Sequence, residues 1–382
     1  MKKKIQEFGA NCTACEPAFQ GSAFAPFFRY APERFAPFHA RAMFQVKKIK
    51  VEKIKFCNKI KKMKIDVSFC IPVFNSEKYL SECLSSIPAK KSANFNFEVV
   101  ICNDSSEQKD ENGKSCSQIV KEFKKSSKTK VTYFEHSENK GLLETRRDLV
   151  FASKGKYIFF IDSDDKLNTE NLNSFVKEAL ILDADIIQGQ SEVFGGTFKK
   201  NPEIFIGKLN GNEILKKFLI ENLIPSFVWG RLQKRELYLD AFNEIPPVFC
   251  ITAEDFLIST FSFKIAQSYV SLQKNIYFYR INSGITSQKQ ISSISEVEKI
   301  ASAASIFTVL FSTQQEKLLE GKTFFTEEEI YQLKEKSYLY IKNNIEQIKK
   351  YAVEELQIPA MEVLKEFWGS DYVNRVIEEC KI

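Results

Sequence analysis

Tyr157–Asp165 reads YIFFIDSDD, an apolar run that breaks off into the carboxylates Asp162, Asp164 and Asp165. A short apolar run bounded by polar residues is the pattern of a strand buried on both faces. Carboxylates directly behind such a strand stand at the carboxyl edge of a sheet, where open α/β sheets bind their ligands. Set so close together, they repel one another unless positive charge lies between them. Hard oxygen ligands of this kind suit Mg²⁺ or Mn²⁺ held together with substrate phosphates. On its own the run also reads as a solvated acidic turn, with Asn168 or Thr169 capping the next helix, because short motifs recur by chance.

Other apolar runs close the same way. DVSFCIPVFN is a strand ending at Asn75, and Ser76 then caps a helix over SEKYLSECLSSI. FEVVIC, Phe97 to Cys102, is a second buried strand, followed at once by Asn103, Asp104, Ser105 and Ser106. A helix over Ser117–Lys124 leads to a third strand, VTYFE, from Val131. Next come a turn at Gly141, a helix to about Ser153 with Gly155 as its C-terminal stop, and the YIFFIDSDD strand. Thr169–Leu182 is a further helix and ADIIQG a further strand. Strands alternating with helices at this spacing predict βαβ units and a mainly parallel sheet. Right-handed crossovers then bring the strand ends to one edge. That edge collects Asn75, Asp104, Ser106 and the three aspartates, which makes it the candidate site.

The pattern thins beyond Gly189. The spacing predicts a helix over Asn212–Asn222, then the stretch SFVWGRLQKREL at Ser226–Leu237. Ala253, Glu254 and Asp255 open an apolar helix, and Asn275–Ser287 reads as a strand leaving into a loop. Acidic residues at a helix start commonly do no more than complement its dipole. The remainder is helical: Thr326 and Glu329 form a capping box, and Ile330, Leu333, Tyr338, Ile341, Ile345 and Ile348 fall at helical spacing.

Composition narrows the function classes. With 382 residues, 44% hydrophobic and 27% charged, the chain has the make-up of an ordinary globular protein of one or two domains. No apolar stretch approaches the roughly 20 residues of a membrane span, and no signal peptide with a clean apolar core opens the chain. Nine cysteines without framework spacing indicate free thiols and a reducing, cytoplasmic setting. Cys12 and Cys15 form a lone CxxC, weak support for zinc. His39 and His136 are the only histidines, which argues against His-based metal sites and Ser-His catalysis. Residues 1–64 stand apart: an Ala/Pro/Phe-rich stretch without period, then a basic run at Lys47–Lys64. That run reads as a leader of uncertain order or an anionic-membrane contact. It lacks the aromatic platform of single-strand nucleic-acid binders, so no nucleic-acid partner is expected. Met63 stands two residues before the first strand and is a candidate start.

Six pieces in order resemble the family 2 inverting glycosyltransferases of GT-A fold: VSFCIPVFNSEKYLSECLSSI, VVICNDSS, ENKGLLETRRDLVFASKGKYIFFIDSDD, VWGRLQKREL, AEDFL and IYFYRINSGIT. The match is strong from Val67 to about Leu182 and looser to Ser287. The resemblance implies a Rossmann-like, mainly parallel sheet with helices on both faces. Its expected bounds are a glycosyltransferase domain at 65–290 and a C-terminal helical region at 291–382. It also implies a hexosyltransferase-type reaction in cell-surface polysaccharide synthesis. The donor would be a nucleotide-diphosphate sugar, UDP-sugar favoured. The acceptor would be a glycan or lipid-linked hydroxyl, reached by peripheral contact at the inner face of the plasma membrane.

Residue by residue, the resemblance places Pro72, Val73 and Phe74 along the nucleoside, adds Asn75 and Glu77 to the nucleotide-sugar contacts, and makes Asp104 the base contact. Arg146 would lean toward the donor. Asp164 and Asp165, supported by Asp162, would bind ribose and a diphosphate-bridging Mn²⁺ or Mg²⁺. Asp255 would be the general base, with Glu254 and Trp229 on the acceptor side. The chain departs from the family at Asn103, where an acidic residue is usual, and at Ser105, where glycine is usual. Arg147 replaces the usual Asn, and Arg231 stands where Lys is common. These departures put donor identity in doubt but remove no required carboxylate. Rival readings are a nucleotide-sugar-binding scaffold of the same fold without turnover and a nucleotidyltransferase. The latter would show a glycine-rich phosphate loop after the first strand, and FNSEKYL has none.

Overall fold

The computed structural model describes residues 65–89, 93–196, 200–281 and 290–380. The readings made for residues 1–64, including the basic run, Cys12, Cys15, His39 and the start at Met63, lie outside the described residues.

The chain forms a nine-stranded sheet in the order β3-β2-β1-β4-β8-β6-β9-β5, with β7 paired to β9. The strands are β1 (Val67–Val73), β2 (Phe97–Asn103), β3 (Val131–Glu135), β4 (Tyr157–Phe160) and β5 (Lys166–Leu167), then β6 (Ile186–Phe194), β7 (Lys208–Asn210), β8 (Arg231–Lys234) and β9 (Ser268–Arg280). Strands β1 to β4 are mutually parallel, and β6 is parallel to β9. The short strands β5, β7 and β8 run against their neighbours. Residues 231–234, to which the pattern assigned no element, thus supply the antiparallel strand that joins the two parallel halves.

The apolar runs behave as two-faced strands. All seven residues of β1 are buried. Cys70 enters the core on one face, while Val67, Phe69, Ile71 and Val73 enter the core on the other. Helices α1 (Glu77–Ser85), α2 (Cys116–Ser126) and α4 (Thr169–Leu182) cover the second face. Helices α3 (Leu142–Ala152), α5 (Asn212–Leu219), α6 (Arg235–Glu244) and α7 (Glu254–Ile265) cover the first. The C-terminal helices are α8 (Ile294–Ala301), α9 (Ala303–Leu319), α10 (Glu327–Tyr351), α11 (Glu354–Trp368) and α12 (Ser370–Cys380), and they continue that same core. The capping box at Thr326 and Glu329 forms as the sequence implies, and Asn168 caps α4.

Several boundaries differ from the sequence reading. Strand β9 begins at Ser268, and its first half is buried without a break from Tyr269 to Leu272, with Tyr269 in the core on one face of the sheet and Val270 and Leu272 in the core on the other. Gly155 is not a helix stop. A Cβ there would lie 2.5 Å from the Ser68 amide nitrogen, so the glycine lets the chain pass against β1. Ser76 holds the N-cap position of α1, but its hydroxyl makes no capping bond.

Candidate active site

The carboxyl ends of β1, β2 and β4 lie side by side, since Val73 pairs with Asn103 and Cys70 with Phe160. The acidic turn leaves β4 here. The Asp165 amide donates to the Asp162 carbonyl at 3.0 Å, closing a four-residue turn with Ser163 and Asp164 at its tip.

The three aspartates of this turn do not act alike. Asp162 and Asp164 are half-buried. Asp165 is 1% exposed rather than at the solvent edge, and its carboxylate accepts from the Tyr277 hydroxyl at 2.7 Å and the Arg280 amide at 2.6 Å. Burial, with the charges of Asp162 and Asp164, pushes the Asp165 carboxyl well above its usual range. A carboxylate so engaged is an anchor of the turn. Asp162 and Asp164 are the two carboxylates of the set that remain partly exposed.

Arg146 on α3, 1% exposed, ties this turn to α7. Its Nη2 donates to Asp162 Oδ1 at 3.0 Å, and its Nη1 donates to Glu254 Oε1 at 2.8 Å and to Asp255 Oδ1. Its Cζ stands 5.7 Å from the centre of the Phe160 ring. Burial works against the guanidinium charge, but Asp255, Asp162 and Glu254 outweigh it and hold the pKa above normal. Burial, partly opposed by Arg146, raises Asp162 to about 6. Burial and then the Asp255 charge raise Glu254 to about 8. Sequence reading had Arg146 leaning toward the donor; its guanidinium bonds three carboxylates drawn from two distant segments.

Asp104, expected at the nucleobase, is 3% exposed and already occupied. Its oxygens accept from the Lys140 amide at 2.8 Å and the Gly141 amide at 2.9 Å, and His136 Nδ1 lies 2.6 Å away. It clamps the loop between β3 and α3. His136 also has Nε2 2.9 Å from Asp148, and composition alone did not reveal this role. Pro72 and Val73 are buried, whereas Phe74 is 42% exposed at the mouth of the edge. Asn75 crosses to β2's loop, accepting from the Glu107 amide at 3.0 Å while its own amide donates to Ser106 Oγ. Glu77 is buried and accepts from Cys116 Sγ at 3.4 Å. Trp229 is 5% exposed within an aromatic stack, 3.8 Å from Phe227 and 4.8 Å from Tyr277 between ring centres. Sequence reasoning missed Tyr277 and Arg280. Their piece, IYFYRINSGIT, was recognised, but nothing in one strand shows that it reaches a turn more than a hundred residues away.

A family model described as "Glycosyl transferase family 2" matches residues 68–246. Residues 68–246 thus match glycosyltransferase family 2. Over 58% of its length it is 28% identical to "Glycosyltransferase GlyA" of Streptococcus pneumoniae serotype 4. Over 56% it is 26% identical to "Poly(ribitol-phosphate) beta-N-acetylglucosaminyltransferase TarS" of Staphylococcus aureus. These alignments span 31% and 35% of the relatives' own lengths. Among solved structures, S. aureus TarS 1-349 in complex with UDP-GlcNAc aligns with TM-score 0.49 and 18% identity, over 83% of this chain and 92% of that one. The described residues form an α/β fold, a mostly parallel sheet between helices with a C-terminal helical region. Arg146 and the acidic turn lie inside the family 2 match; Glu254, Asp255, Tyr277 and Arg280 lie beyond it and join through the bonds above. Among the described residues no helix is long and apolar enough to cross a membrane.

Proposed function

We propose that this chain transfers a sugar from a nucleotide-diphosphate donor to a hydroxyl of a glycan or lipid-linked acceptor, with inversion and with a divalent cation, in cell-surface polymer synthesis. The observation that carries the reading is the Arg146 bridge: one guanidinium bonds both Asp162 at the acidic turn and Asp255 at the head of α7. A single displacement needs a place to stabilise the leaving diphosphate and a carboxylate on the far side of the sugar, held at a fixed separation. The bridge ties the two groups to one another, which supports this reading.

In this reading Asp162 and Asp164 hold Mn²⁺ or Mg²⁺, whose chemistry when bound is to neutralise charge developing on the diphosphate. Phe74 offers its exposed ring to the nucleoside, while Asp104 shapes the pocket by holding the 136–141 loop. The acceptor oxygen bonds to the anomeric carbon as the bond to the diphosphate oxygen breaks, and its proton passes to Asp255. Glu254 is raised to about 8 by burial and by the Asp255 charge, so near neutral pH it keeps its proton and leaves the base role to its neighbour. The names of relatives, among them a poly(ribitol-phosphate) N-acetylglucosaminyltransferase, support sugar transfer to a polymeric acceptor. A binding scaffold without turnover is disfavoured, because the acidic turn and the α7 pair are both complete.

The test begins with nucleotide sugars screened for Mn²⁺-dependent thermal stabilisation, since a ligand that binds only the native state raises its apparent stability. With the donor found, Asp255→Asn should keep donor affinity by calorimetry while kcat falls by about two to four orders of magnitude. Turnover within a few-fold of the parent would remove Asp255 as the base. No stabilisation by any nucleotide sugar would remove the reading itself.

A further inference from the structure

The acidic turn is held in place by a strand remote from it in sequence. The Tyr277 hydroxyl donates to Asp165 Oδ2 at 2.7 Å and accepts from the Asp162 amide at 3.0 Å, stitching the two ends of the turn together. Tyr277 and Asp165 are 112 positions apart. Arg280, on the same strand, donates from its amide to Asp165 Oδ1 at 2.6 Å and from Nε to the Asp164 carbonyl at 2.7 Å. Register keeps both residues in place. Strand β5, which follows the turn directly, pairs with β9 through Lys166–Phe278 and Leu167–Tyr277. The Tyr277 ring, fully buried, lies nearly parallel to Trp229 at 9° and 4.8 Å. The Arg280 guanidinium is sandwiched 4.5 Å from the Tyr79 ring centre and 4.3 Å from that of Phe194.

We propose that Tyr277 and Arg280 are positioning residues for the cation and diphosphate: by sequestering the Asp165 carboxylate and pinning the turn backbone, they set where Asp162 and Asp164 present theirs. The inference rests on the glycosyltransferase reading and goes beyond it, because it assigns the geometry of the turn to β9 rather than to the acidic motif. Hydrogen-bond partners that orient metal-binding carboxylates are commonly worth about 10–100-fold in affinity. Tyr277→Phe keeps the stacked ring and deletes only the hydroxyl.

The experiment measures Mn²⁺ binding to the full chain by the loss of the free-ion electron paramagnetic resonance signal, with Mn²⁺ alone and with Mn²⁺ plus UDP. Circular dichroism melts verify folding. Tyr277→Phe should remain folded and bind Mn²⁺ about 10–100-fold more weakly. The Mn²⁺ needed for half-maximal transfer should rise in proportion, with kcat at saturating Mn²⁺ changed far less. A purely structural hydroxyl would lower the melting temperature and leave Mn²⁺ affinity untouched, and that result overturns the proposal. Should Tyr277→Phe fail to fold, Arg280→Lys decides: weakened Mn²⁺ binding supports the clamp and unchanged binding overturns it. A parent chain that binds Mn²⁺ under neither condition refutes the cation assignment, and the clamp falls with it. That arm is read on the parent alone, so the two failures are told apart.

Discussion

Glu254 is a buried carboxyl whose raised pKa, about 8, opposes the folded state at alkaline pH. Below the ordinary carboxylate range the residue is protonated folded or unfolded and contributes no pH dependence. As pH rises from about 4.5 toward 8, the unfolded chain releases this proton while the native state retains it, so stability declines across that window. Glutamine mimics the protonated form and can still accept the Arg146 hydrogen bond. Glu254→Gln should therefore flatten the decline and stabilise the protein at pH 8 by on the order of 3 kcal/mol. Urea midpoints measured at several pH values for both proteins check this. Parallel curves would show that Glu254 is ionised in the native state, and the division of labour with Asp255 would have to be redrawn.

At the scale of elements, close approach explains residues that pattern reading took for punctuation. Gly155→Ala would place a methyl 2.5 Å from a β1 backbone nitrogen and 2.8 Å from the Val67 carbonyl carbon. Backbone cannot swing aside as a side-chain tip does, so the expected loss is about 1–3 kcal/mol, read as a lower urea midpoint at unchanged slope. A substitution cost near zero would restore the helix-stop reading. The contrast shows what was legible. Strands β1 to β4 and helix α4 were readable because each carries its own period and its own boundary residues. The acidic turn was readable because its three carboxylates fall within four consecutive positions. What stayed hidden are pairings that no local pattern encodes: the antiparallel β8, Asp104 turned onto the 136–141 loop, and Asp165 turned onto Tyr277 and Arg280. Arg147 belongs with these. Where the family usually has Asn, its guanidinium donates to the Phe242 carbonyl at 2.6 Å and lies 5.1 Å from that ring's centre, fastening α3 to α6.

Across the whole molecule, the helix that carries Glu254 and Asp255 is supported from behind by the C-terminal helices. Phe256, beside the acidic pair, lies 5.9 Å from Phe307 on α9 between ring centres, and Phe307 lies 5.7 Å from Trp368 on α11. Lys264 at the other end of α7 pairs with Glu329 on α10 at 2.7 Å, both largely buried. Thr252, just ahead of α7, donates to the Lys299 carbonyl at 3.1 Å. The C-terminal helical region therefore has a substantial apolar side spent on the core it shares with α7. Its exposed apolar residues, such as Leu319 and Ile358, lie outside that shared core. If the core is continuous, damage at its centre must be felt by both halves together. Phe307→Ala should cost about 3–5 kcal/mol and shift a single cooperative unfolding transition, with intrinsic fluorescence and far-ultraviolet circular dichroism moving in step. Two separated transitions, with only one displaced, would mean that the C-terminal helices unfold as their own unit and that α7 stands without them.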